Sequence, residues 1–115
     1  MDQKHKAASE FLKEFKKIAS SRGIDVVPRR ENNSALIEFG LTEKNRKEEI
    51  LKLTSANYYR GPEADRDRPG EIWEFRMDID DIEVYIKLKI ADVEGTDGTK
   101  IAKCLSFHKA KFPMS

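Results

Sequence analysis

Apolar residues in this 115-residue chain change their spacing once, and that change limits what it can fold into. Over residues 8–22, Ala8, Phe11, Leu12, Phe15, Ile18 and Ala19 recur every three or four positions, the period of a helix with one apolar face. After residue 71 the period becomes two. Trp73, Phe75, Met77 and Ile79 form one row, and Ile82, Val84, Ile86, Leu88 and Ile90 another. In a third, Ile101, Leu105 and Phe107 share the apolar side, interrupted by Lys103, while Ala102, Cys104, Ser106 and His108 share the other. The segment GPEADRDRPGE over residues 61–71, with its prolines and glycines, reads as the loop between the two regimes. Short turns at Asp80-Asp81 and Glu94–Gly98 make the strands an antiparallel meander. The expected fold is α+β in one domain over 1–115, with N-terminal helices packed on one face of an antiparallel sheet of three or more strands.

In the helical half, Gly23 stops the first helix as a left-handed cap. IDVVPRR is an edge strand or an extended linker, because Pro28 cannot donate to a ladder. NNSALIEFG predicts a short helix capped by Asn33 or Ser34 and closed by Gly40. Thr42 caps another, with Ile50, Leu51 and Leu53 turned inward. Of Tyr58 and Tyr59, at least one belongs to the core and the other is free to stack.

Lys and Arg number 22 against 21 Asp and Glu, so the chain has no global field and any nucleic-acid site must be a local patch. The single cysteine excludes an internal disulfide. MDQKHKAASE lacks the apolar stretch of a secretory signal, and no run reaches the roughly 20 residues of a membrane span, so a cytoplasmic location is expected.

The strands' other face gathers Glu74, Arg76, Tyr85, Lys87, Lys89, Ser106 and His108. Those residue types meet the needs of metal-free phosphodiester cleavage in RNA: a base for the 2′-hydroxyl, an acid for the departing 5′-oxygen, and cations for the developing charge. His108 suits either proton role at neutral pH, Glu74 offers a base, Lys87 binds phosphate, and Tyr85 hydrogen-bonds or stacks. The competing reading is a solvated sheet face, since charged rows on open sheets are common. Other signals are weaker. Cys104 and His108 stand about 13 Å apart along an extended strand, too far for a nucleophile and its base or for a shared metal. Asp65-Arg66-Asp67 leads into Pro69 and Arg76 where a calcium loop needs oxygen ligands. RGPEADRDRPG lacks the spacing of a phosphate loop.

The order EILKLTSANYYRG, EIWEF, EVYIKLKI, AKCLSFHKA resembles the MqsR family of toxins from bacterial toxin–antitoxin pairs, within the wider RelE-like fold of mRNA interferases. The resemblance spans about residues 36–110. It implies a ribosome-independent endoribonuclease that cuts single-stranded mRNA and is silenced by a cognate antitoxin. It also implies site positions. The basic residue ending the aromatic-aromatic-basic turn falls on Arg60, a glutamine position after the tryptophan on Glu74, the tyrosine of Tyr-hydrophobic-Lys on Tyr85, and a lysine position after Ser-Phe on His108. This chain departs from that pattern by making two of the four residues titratable, and arginine for lysine adds bidentate phosphate binding.

The expectation is therefore metal-independent transesterification with Arg60, Glu74, Tyr85 and His108 as catalytic residues and no cofactor. Glu74 and His108 share the base and acid roles in an order left open, and the products are a 2′,3′-cyclic phosphate and a 5′-hydroxyl. Lys87, Lys89, Arg76, Lys109 and Lys111 would contact RNA; the partners are mRNA and an antitoxin, with no membrane. Two rivals stand beside it: a noncatalytic RNA- or protein-binding module of the same fold, and an antitoxin-like interaction protein using a sheet edge.

Overall fold

Asp2 opens the first helix by accepting a hydrogen bond from the His5 backbone N–H at 2.8 Å, so α1 (Gln3–Arg22) starts before its apolar stripe does. The computed structural model describes residues 2–111. Gly23 ends α1 at a φ of 79°, extended rather than left-handed helical in ψ, and sends the chain directly into β1 (Ile24–Val26). Pro28 ends that strand. Then come α2 (Arg30–Phe39), α3 (Glu43–Leu51), a 3-10 turn at Ser55–Asn57, and strands β2 (Tyr58–Ala64), β3 (Glu71–Ile79), β4 (Ile82–Asp92) and β5 (Lys100–Lys109).

Three expectations about the helices and the segment after them change. α2 begins at Arg30, ahead of Asn33 and Ser34, with no side-chain cap, although Gly40 closes it in the left-handed conformation as expected. Thr42 caps α3 through Asn45, but Leu51 lies on the outer side, 40% exposed, while Ile50 and Leu53 are buried. The expected loop over 61–71 is half strand: β2 runs to Ala64, and only the segment to Gly70 turns back into β3.

The sheet order is β1-β5-β4-β3-β2. β2 to β5 form an antiparallel meander, whereas β1 pairs with β5 in parallel, Ile24 opposite Ala102 and Val26 opposite Cys104. Among the described residues the fold is thus α+β with three α-helices and a five-stranded mixed sheet, which corrects the all-antiparallel expectation at one edge. Helices cover one face: Phe15 is buried, Phe11 stacks 5.2 Å from Trp73, and Phe39 meets Phe107 edge-on at 6.4 Å. Burying each such ring is worth about 1.5–3 kcal/mol.

Two bulges set which way the other face looks. Leu88 pairs with Cys104 while Lys87 pairs with Ser106, so β5 carries one extra residue at Leu105. Ala102 and Cys104 therefore lie in the core, fully buried, rather than beside Ser106 and His108. In the same way Tyr58 pairs with Phe75 and Arg60 with Glu74, leaving Tyr59 as the extra residue of β2. Tyr58 packs against the core and Arg60 turns to the uncovered face.

The Leu105 bulge exposes backbone groups that β1 no longer reaches. Asn32, wholly buried, supplies the missing partners: its amide nitrogen donates to Leu105 O at 3.0 Å and Val27 O at 2.8 Å, and its oxygen accepts from Phe107 N at 2.9 Å. One side chain continues the parallel ladder where the strand has ended.

Candidate active-site cleft

The bulges align two rows across the uncovered face. Arg60, Glu74, Lys87 and Ser106 are successive cross-strand partners, and beside them stand Arg76, Tyr85 and His108. Directly paired residues in a sheet lie close enough for their side chains to touch, and diagonal neighbours remain within reach of long ones. A cleft of about 370 Å³ opens over these rows, with Arg60, Tyr85, Lys87 and His108 in its floor and Arg29 and Lys111 at its rim.

Glu74 anchors the floor. Its side chain is 3% exposed, and both oxygens are engaged: Arg60 Nε donates to Oε2 at 2.7 Å, Arg60 Nη2 donates to Oε1 at 3.0 Å, and the Tyr85 hydroxyl donates to Oε1. Burial works to raise the Glu74 pKa, but the bonds from Arg60 and Tyr85 and the charges of Arg60 and Lys87 outweigh it and hold the carboxyl below its usual value. A saturated, weakly basic carboxylate is poorly suited to taking a proton, which corrects the expectation of Glu74 as base or acid. Burial and Glu74 push the Tyr85 phenol well above its ordinary range, so it keeps its proton at neutral pH. Arg60, with 57% of its side chain exposed, presents the positive end of this network to the cleft and also meets Glu63 at 3.3 Å.

His108 lies next to Tyr85, ring centroids 5.4 Å apart. Its Nδ1 is 2.9 Å from Lys109 O, a contact that a ring N–H makes by donating. Nε2 is left facing the cleft, 3.4 Å from Glu31 Oε2. Lys111 Nζ lies 3.2 Å from the same oxygen and donates to Oε1 at 3.3 Å, and its hydrogen bond, followed by the charge of His108, lowers the Glu31 pKa. Lys87 Nζ sits 5.9 Å from the Tyr85 ring centroid.

The structure therefore brings together Arg60, Glu74, Tyr85, His108, Lys87 and Lys111. It separates the others. Lys89 was expected on an RNA-facing row; it does lie on that face, but the segment after β2 covers it, leaving it 3% exposed and paired with Asp65 at 2.6 Å. Lys109 is opposite Val84, a core-face residue, and so belongs to the other side of the strand from His108. Arg76 is exposed but turned toward Glu83, at 3.3 Å. Cys104 lies in the core, and burial pushes its thiol up to about 12.

Sequence patterning overlooked Arg29 and Glu31 at this site and left open which of Tyr58 and Tyr59 would stack. Arg29 and Glu31 reach the cleft because α2 starts just after β1, and their only sequence signal was the charge cluster PRRE after a possible edge strand. Tyr59 lines the cleft through its bulge, which no periodicity reveals. Among the described residues no three His, Cys, Asp or Glu side chains gather as a metal site would need, and no helix is long and apolar enough to cross a membrane. Comparison with protein-family models, with curated proteins and with solved structures found no match.

Proposed function

We propose that this protein is a metal-independent endoribonuclease of the MqsR type on a RelE-like fold, acting in the cytoplasm on single-stranded mRNA and silenced by a cognate antitoxin. The observation that carries the reading is the meeting in one cleft of a histidine whose Nε2 faces the cleft beside Glu31 and four cations, Arg29, Arg60, Lys87 and Lys111. A scissile phosphate suits that charge, and a nucleotide base suits the Tyr85 ring.

In this mechanism His108 Nε2 takes the proton of the 2′-hydroxyl as its oxygen forms a bond to phosphorus. Arg60 binds the non-bridging oxygens bidentately as charge grows on them. The phosphorus–O5′ bond breaks, and the Lys87 ammonium gives its proton to the departing oxygen. Solvent then takes the proton from His108 and restores that of Lys87, leaving a 2′,3′-cyclic phosphate and a 5′-hydroxyl. Glu74 acts as a positioning residue through Arg60 and Tyr85.

The test is incubation of the purified protein with a long unstructured RNA in EDTA. Cleavage to cyclic-phosphate ends is expected, and His108→Ala lowers its rate by about 10²–10⁴-fold. Lys87→Arg keeps the charge but cannot give up a proton, so RNA binding persists while the rate falls about a hundredfold. Intact RNA at high protein concentration overturns the reading in favour of a noncatalytic binding module, and undiminished cleavage by His108→Ala overturns the mechanism by removing His108 from it.

A further inference from the structure

A second depression, about 500 Å³ in volume, borders the cleft and shares Tyr59 and Arg60 with it. Its other walls come from the start of α1 and from β2, chiefly Lys4, His5, Tyr58 and Glu63. The two hollows differ in kind. The cleft sets four cations against Glu31, whereas the second hollow balances Lys4 and Arg60 with Asp2 and Glu63. Three rings line it, and they are held in place: His5 packs edge-on to Tyr58 at 5.2 Å, its Nδ1 is 2.8 Å from Asp2 Oδ1, and the Tyr58 hydroxyl donates to Gly61 O at 2.6 Å. Arg60 lies over the Tyr59 ring at 5.4 Å, at the boundary between the hollows.

A charge-balanced hollow lined by fixed rings suits a base, whose π-face is uncharged and stacks on aromatic groups, better than it suits a phosphate. The adjoining cationic cleft suits the phosphate. Tyr59, displaced outward by its bulge, forms the wall common to both.

We infer that the hollow between the start of α1 and β2 is a second nucleotide subsite, which seats the base of a residue neighbouring the scissile phosphate and makes a single strand of at least two nucleotides the minimal substrate. This rests on reading the cleft as the RNA-cleaving site. Duplex RNA, whose bases stay stacked on one another, would not enter it.

The chain's two histidines make the inference testable, because His108 stands in the cleft and His5 in the second hollow. Imidazole resonances of the full chain are followed by NMR during titration with uridine 3′-monophosphate and, separately, with a pool of 2′-O-methyl trinucleotides carrying all four bases, which cannot be cleaved. The mononucleotide is expected to shift His108 alone, and the trinucleotides both. Trinucleotides that shift His108 but leave His5 in place overturn the subsite and spare the cleft. If His5 alone responds, the subsite and the cleft assignment both fall. If neither responds at millimolar ligand, the RNA reading falls, and the inference with it.

Discussion

The bulge at Leu105 divides the uncovered face of the sheet into two halves built from the same kinds of residue and put to different ends. Each half holds an ion pair with at least one buried member. Beyond the bulge, Lys89 and Asp65 are both enclosed, 3% and 14% exposed, and the cation is spent on pinning the segment that joins β2 to β3. On the His108 side the pair is asymmetric, with the Glu74 carboxylate sunk and the Arg60 guanidinium left in solvent. The enclosed pair staples a loop, and the asymmetric pair aims a positive charge. Burial of the anion alone is what leaves a cation available to a ligand, since a buried charge must be paired but its partner need not be buried with it.

The largest way to break the contrast is to remove the residue that holds the dividing bulge. Asn32→Ala leaves Leu105 O and Phe107 N without their side-chain partners in a buried place, at a cost of about 3–5 kcal/mol together with the lost bonds. Urea unfolding measures it, and a loss under about 1 kcal/mol would mean that water or a relaxed backbone replaces the amide. Next in size is Glu74→Gln, which keeps the volume but removes the charge that orients Arg60 and Tyr85. About 2 kcal/mol of charge-assisted bonding is lost, expected as roughly a thirtyfold fall in RNA cleavage in a protein that still folds.

Lys89→Met sharpens the contrast from the other half. Stability at neutral pH drops by about 2 kcal/mol, less than for a fully enclosed pair because Asp65 can regain water as the loop loosens. Cleavage per folded molecule stays within about twofold, as expected for a site with no shared partners. The pH dependence has a definite sign. The bond from Lys89, then the Asp67 backbone N–H, hold the Asp65 carboxyl down to about 2 from an ordinary 3.8. A carboxyl whose pKa is depressed by folding stabilises the fold above its ordinary value, and that contribution is lost as the pH falls through its folded value. The gap between wild type and Lys89→Met should therefore be full at pH 7 and close between about pH 4 and pH 2. Urea midpoints across that range check it, and a gap that persists at pH 2 would assign the effect to packing of the lysine stem.

How far these halves were legible in the chain follows from their physics. Alternation put Glu74, Tyr85, Lys87 and His108 on one face because β3 and β4 pair without interruption and Phe107 holds the phase near His108. It misplaced Ala102 and Cys104 because a bulge is a backbone event that Leu105 does not announce; its partner Asn32 lies 73 residues away and reads locally as an ordinary helix-start residue. Alternation also assigns a face without assigning exposure. Lys87 and Lys89 are equivalent by period, and only the return of the chain after β2 buries one of them. The parallel pairing of β1 was hidden for a related reason: three residues are too few for a period, and their partner strand is the last among the described residues.

The smallest effect concerns Glu31, a carboxylate that lines the cleft among its cations. It lies 3.4 Å from His108 Nε2 and 3.2 Å from Lys111 Nζ, where an incoming phosphate oxygen would have to compete with it. Its side chain is about half exposed, so its contacts are screened and individually weak. Glu31→Gln removes the competing charge without opening the floor, and RNA binding at low salt should tighten about two- to threefold, with the gain vanishing as salt rises. Cleavage at saturating RNA would stay level if Glu31 only competes for the cations. A fall there, at unchanged stability, would instead make Glu31 the group that stabilises His108 once it has taken a proton, and the cleft would then contain a carboxylate–histidine pair supplied by α2 rather than by the sheet.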